Sequence, residues 1–150
     1  MRRTALFLAF LLMAPVRALA GPTEDATDTA LKAVANIMTD HEAFLAAHEK
    51  DAVIVDDFFP YVWKGAGSVQ RWSADERKLL RTKHITQPRI TSGKPLRALS
   101  DGGTAYIVIP ITYDFLLDGQ KASDKGTFTF VMQHAESGWK ISSWSYNGGE

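Results

Sequence analysis

The chain has 150 residues, 17 Lys+Arg against 17 Asp+Glu, and no cysteine. Hydrophobic residues at 45% and charged residues at 23% match a single globular domain and exclude disordered and fibrous classes. Zero net charge argues against nucleic acid as a partner, and the lack of cysteine excludes thiol catalysis, disulfides and Cys-ligated metal.

The neutral balance averages two unlike segments. Met1-Arg2-Arg3 is a short basic start, Thr4 to Met13 is apolar on every face, and Pro15 interrupts the run. Ala18-Leu19-Ala20 then supplies the small-x-small pattern of a signal peptide cleaved before Gly21. The apolar run is about half of the ~20 residues a membrane-spanning helix needs. Residues 1–20 are therefore expected to be removed on export, leaving a periplasmic or extracellular protein with no membrane span. Cleavage takes away Arg2, Arg3 and Arg17 and no acid, so 14 basic residues face 17 acidic ones, a net of −3.

Residues 21–27 are polar, contain Gly21-Pro22, and read as a flexible leader before a single domain over 28–150. Thr27 or Asp28 is a candidate cap for a helix reaching about Thr39, with Ala30, Leu31, Val34, Ala35 and Met38 on its buried face. Asp40 opens a second helical stretch to Glu49 that buries Ala43, Phe44 and Ala47 and carries His41 and His48. Asp51 to Trp63 is rich in β-branched and aromatic residues and reads as a strand, closed by Gly65-Ala66-Gly67. A third helix follows from Ser68 to about Lys83. Val69, Trp72, Leu79 and Leu80 form its apolar face, and Ser73-Ala74-Asp75-Glu76 is a candidate break midway.

From Ile85 the periodicity becomes two. Strand segments run from Ile85 to Leu99 around a turn at Ser92-Gly93-Lys94-Pro95, and Ser100-Asp101-Gly102-Gly103 marks the next turn. Thr104 to Leu117 is the longest strand. Ile107, Ile109, Ile111, Tyr113 and Phe115 share one side, and Pro110 requires an edge or a bulge. A polar hairpin over Asp118 to Lys125 leads to a strand Gly126 to His134, and Trp139 to Tyr146 makes the last one. Helices followed by a run of long strands give α+β, with N-terminal helices packed in a curved, mixed, mostly antiparallel sheet.

This order, with Ala52-Val53-Ile54-Val55-Asp56-Asp57, Gly65, a helix start at Ser68, and the terminal Gly138-Trp139-Lys140-Ile141-Ser142-Ser143-Trp144-Ser145-Tyr146, resembles the nuclear transport factor two-like superfamily. That group includes ketosteroid isomerases and SnoaL-like cyclases. The resemblance covers about residues 28–147 and implies a cone-shaped, cystatin-like roll with an apolar pocket at its open end. It also implies dimerisation through the exposed sheet face, carried by Ile107, Ile109 and Ile111 or by their opposite-side neighbours.

In the isomerase branch a strand carboxylate shuttles a proton beside a carbonyl, while a tyrosine and a protonated aspartic acid stabilise the enolate. The resemblance puts Asp56 at the base, and an apolar cone would raise its pKa by desolvation. The position of the tyrosine falls near Lys32, and Gly126 to Met132 carries only Thr127 and Thr129 as polar side chains, with no acid. Steroid-type isomerase activity is therefore not expected. The expected function is an exported module that binds a small apolar or aromatic ligand. Asp57, Tyr61, Trp63, Trp72, Tyr113 and Trp144, with Tyr146, are the candidate ligand-binding residues. The alternative is a pocket enzyme of isomerase, cyclase or hydratase type with Asp56 as general base. No cofactor is implied. His84 and His134 lie in no metal-ligand spacing with Asp56, and Ser68, Ser73 and Ser145 lie in no nucleophile-elbow context.

Overall fold

A computed structural model describes residues 21–149, so the expected signal peptide lies outside the described residues. Within them are α1 (Pro22–Asn36), α2 (His41–Ala46), β1 (His48–Val55), β2 (Val62–Trp63), α3 (Ser68–Thr82), β3 (Ile85–Ser92), β4 (Arg97–Ser100), β5 (Thr104–Leu117), β6 (Gln120–Ala135) and β7 (Gly138–Gly148). The strands form one sheet in the order β2-β1-β7-β6-β5-β3, with β4 also paired to β5. All pairs are antiparallel except β1 with β7. This is the expected α+β class with a curved mixed sheet.

The supposed leader is the first turn of α1. Pro22 sits at the start of the helix, where its missing N–H costs nothing, and Glu24 and Asp25 complement the positive helix end. Thr27 and Thr29 satisfy their hydroxyls on the carbonyls of Thr23 and Asp25. Buried Ala26 extends the stripe of Ala30, Ala33 and Val34 back by one turn, so packing overrides the polar composition.

In α2 the Asp40 side chain accepts the Ala43 N–H at 3.0 Å. The helix then ends sooner than its sequence suggests, because β7 captures the next residues. Ile141 N donates to Ala47 O, and His48 pairs with Ile141. The ladder is interrupted between His48 and Val53, where Lys50 O instead accepts the N–H of Gly67. Gly67 has φ +74, a left-handed conformation natural to glycine. Buried Ser68 adds a hydrogen bond from its hydroxyl to Ala52 O. These two bonds staple the start of α3 to β1.

Helix α3 runs unbroken through Ser73 to Glu76. Buried Ser73 lies against the core, and Asp75 accepts the indole N–H of Trp63 at 2.8 Å, docking β2.

The β5–β6 hairpin turns on Asp118-Gly119 alone, with φ +50 and +80. Residues 120–125, expected as part of a loop, continue the ladder opposite residues 112–117. Pairing with β5 decides there, not composition. Pro110 lies where the β3–β4 turn interrupts the neighbouring strand. Its carbonyl accepts the Gly93 N–H at 2.8 Å, and no amide hydrogen is required beside it.

Ile107, Ile109 and Ile111 all point into the core, which also contains Phe44, Ile54, Phe130, Met132 and Ile141. They therefore cannot form the dimer face allowed for in the sequence. The outward side of β5 is the alternate set beginning at Tyr106.

Candidate functional site

Period two along β1 settles which acid turns inward. Ala52, Ile54 and Asp56 are buried while Val53, Val55 and Asp57 are exposed. Asp56 is only 8% exposed. It directly follows β1 and lines a cavity of about 130 Å³ between α3, the end of α1 and the concave side of the sheet.

Asp56 is held from two sides. The indole N–H of Trp72 donates to Oδ2 at 2.7 Å, and the backbone N–H of Asp57 donates to Oδ1 at 2.8 Å. Trp72 reaches it because the Gly67 and Ser68 bonds fix the start of α3 on β1. Burial pushes the Asp56 carboxyl up to about 6, against the pull of these two donors.

Four residues on α3 face the cavity: Trp72, Glu76, Leu79 and Leu80. They fall at the spacing of one helix face, so Glu76 is a lone acid within an apolar stripe. Burial and the neighbouring Asp56 raise Glu76 to about 8, with Arg77 opposing weakly. At neutral pH it is mostly a carboxylic acid and can donate a hydrogen bond.

The sheet supplies two phenols. Tyr113 on β5 and Tyr146 on β7 both line the cavity, and burial raises both above the ordinary tyrosine value. The Tyr146 ring lies across Gly126, where any Cβ would collide with it. Ile85, Ile90, Ile111 and Phe128 complete the sheet wall, and Ile37 and Met38 close the side after α1.

Of the sequence candidates, Asp56, Asp57, Trp72, Tyr113 and Tyr146 come together here, with Asp57 on the exposed rim. Three do not line the cavity. Trp63 turns away to bond Asp75 and stack on Phe58, at a ring distance of 4.9 Å. Trp144 is core, edge-on to Trp72 at 4.9 Å and to Phe128 at 5.4 Å. Tyr61 is 55% exposed and packs on Phe59. His84 pairs with Asp118 on the surface at 3.0 Å and His134 packs on Trp139, both away from the cavity. Among the described residues no three His, Asp or Glu side chains group as metal ligands.

Glu76 is the residue that sequence reasoning missed. Its signal was present: an acid four residues after Trp72 and three before Leu79, on the apolar face rather than in a break. Lys32, at the position where the resemblance looked for a tyrosine, is exposed. The hydroxyl donors come instead from β5, β7 and α3.

No protein-family model matches the chain, and no curated protein matches it. Solved structures do. A ketosteroid isomerase-like protein from Erwinia carotovora atroseptica superposes with a TM-score of 0.68 at 9% identity, covering 88% of this chain and 99% of its own. An NTF2-like protein with a cystatin-like fold from Novosphingobium aromaticivorans gives 0.66 at 13% identity, covering 82% and 79%. The CaMKII hub of S. rosetta gives 0.67 at 19% identity, covering 88% and 100%. The chain has the nuclear transport factor two-like, cystatin-like fold that its strand order and its Asp56-to-Ser68 segment suggested.

Proposed function

We propose that this chain is an exported protein that binds a compact, mostly apolar small molecule in the cone cavity, with the ligand's one polar group directed at Asp56. The supporting observation is the convergence of Asp56, Glu76, Tyr113 and Tyr146 on an otherwise apolar cavity. A volume of about 130 Å³ is close to the ~150 Å³ of cavities that hold one benzene ring. That scale favours a single-ring ligand and argues against a four-ring steroid. A thermal-shift series of single-ring aromatic compounds tests the reading, since saturating ligand adds about 2.7 kcal/mol at a hundredfold excess over Kd. No stabilisation by any compound would overturn it. Export is tested separately by the mass of secreted protein, which should begin at Gly21.

A second reading, a pocket enzyme with Asp56 as general base, draws support from a carboxyl near 6 beside an acid near 8. The donors missing from the expected positions were the reason to expect no isomerase chemistry, and other elements now supply donors. Turnover unchanged in Asp56→Asn would remove this mechanism.

Homodimerisation through the sheet is proposed on the outward face. Register aligns Leu99, Tyr106, Val131, Ser143 and Val53 in one row across five strands. Leu99 is 55% and Tyr106 40% exposed. Light scattering should give a dimer that Tyr106→Arg converts to monomer.

A further inference from the structure

We infer that the cavity selects a cationic ligand, an ammonium group carried on a single aromatic ring, over neutral or anionic molecules of the same shape. The inference rests on the proposed small-molecule role of the cavity and names its ligand class.

Among the described residues fifteen line the cavity; three of them, Asp56, Asp57 and Glu76, are acids, and none is Lys, Arg or His. The charged and titratable groups around Asp56 and Glu76 are few. The loop after β1 gives Asp57, α3 gives Arg77 beside Glu76, and β5 and β7 give Tyr113 and Tyr146. From β6, Asp124 adds further negative charge near Tyr146. Arg77 is exposed and lies outside the lining. An anion entering here would meet carboxylates with no counter-charge.

Hydrogen-bond capacity points the same way. Each Asp56 oxygen accepts one bond, from Trp72 or from Asp57, and a carboxylate oxygen has room for two. The influences on Glu76 are burial, Asp56 and Arg77, with no hydrogen bond among them. Asp56 therefore keeps unused acceptor capacity, and an ammonium brings three donors to it. Five aromatic residues, Phe58, Trp72, Tyr113, Phe128 and Tyr146, line the cavity with the acids, and aromatic rings are groups that attract a desolvated cation.

Binding should be linked to protons. A cation favours the ionised carboxylates, so its affinity rises as pH moves from about 6 to about 8. A neutral ligand gains no charge attraction from that ionisation, so its affinity should not rise over the same range.

Calorimetric titration of the purified protein with benzylamine, benzyl alcohol and benzoate tests this directly. Benzylamine is expected to bind about tenfold or more tighter than benzyl alcohol, with benzoate weakest, and to release protons on binding. Benzyl alcohol binding as well as or better than benzylamine would overturn the inference while leaving the small-molecule role intact. Failure of all three would overturn both. Glu76→Gln should weaken benzylamine and flatten its pH dependence while leaving benzyl alcohol unchanged. Equal loss for both ligands would overturn the role given to Glu76. Asp57→Asn, on the exposed rim, gives a second variant that does not perturb the core and should weaken benzylamine alone.

Discussion

The cone has two ends, and each buries titratable groups, but to opposite effect. At the closed end His48 is 7% exposed. Its Nδ1 faces Phe44 O at 2.8 Å, its ring stands edge-on to Phe44 at 4.6 Å, and its Nε2 has no partner among the described residues. At the open end Asp56 and Glu76 are raised by burial too, yet they face a cavity. Burial alone marks neither as functional. What marks the open end is the cavity there and the several polar groups that converge on it.

Phe44 is the sharpest way to break the closed end. It is 1% exposed, and it links α2 to Trp72 and His48 by ring contacts at 5.6 and 4.6 Å. Phe44→Ala should cost about 3–5 kcal/mol in urea unfolding, the usual penalty for deleting a buried aromatic ring. Tyr146→Phe at the open end removes one half-buried hydroxyl and should cost well under that. A comparable loss at both sites would mean that the open end is core rather than cavity.

Trp72 joins the two ends, since its ring packs on Phe44 and Trp144 while its N–H bonds Asp56. Trp72→Phe keeps an aromatic ring but leaves the buried carboxylate with one donor fewer. The expected cost is about 1–3 kcal/mol, and the Asp56 titration, followed by NMR, should move above its value of about 6. An unmoved titration would show that the indole N–H does not hold the carboxylate.

The closed end was far more legible in the sequence than the open one. Alternation in β5 and β6 marked Ile107, Ile109, Phe130 and Met132, and all are buried. Period two allowed only one of Asp56 and Asp57 to turn inward but did not say which. Aromatic type alone did not tell pocket from core. Trp63 and Trp144 look like Trp72 in sequence, but which surface each ring meets depends on partners such as Asp75 and Phe128, distant in the chain or across the sheet. Glu76 was hidden for a different reason. A polar residue amid Ser73-Ala74-Asp75 reads as a helix break, whereas tertiary packing keeps α3 whole and turns that one acid inward. The start of α1 at Pro22 and of β1 at His48 were likewise decided by packing and by pairing with β7.

The smallest effect separates the two ends by sign. His48 falls from an ordinary 6.5 to about 4 because burial disfavours its charge. Between those values the unfolded chain holds a proton that the folded chain lacks, so stability rises with pH and is lost as pH falls through about 4. Asp56 rises from 3.8 to about 6 and Glu76 from 4.5 to about 8. There the folded chain holds the extra proton, so their contribution is complete at low pH and is lost as pH rises. Each bound proton is worth about 1.4 kcal/mol per pH unit at most. Between about 4.5 and 6 the closed end thus offsets one of the two open-end acids, and the wild type should lose stability with the slope of one proton rather than two as pH rises. His48→Gln should make that decline steeper. Glu76→Gln should remove most of the decline between about 6.5 and 8, where Glu76 carries the largest difference in bound protons between the folded and the unfolded chain. Urea midpoints measured across this range read both slopes. Parallel curves for the two variants would mean that the ends of the cone do not oppose one another.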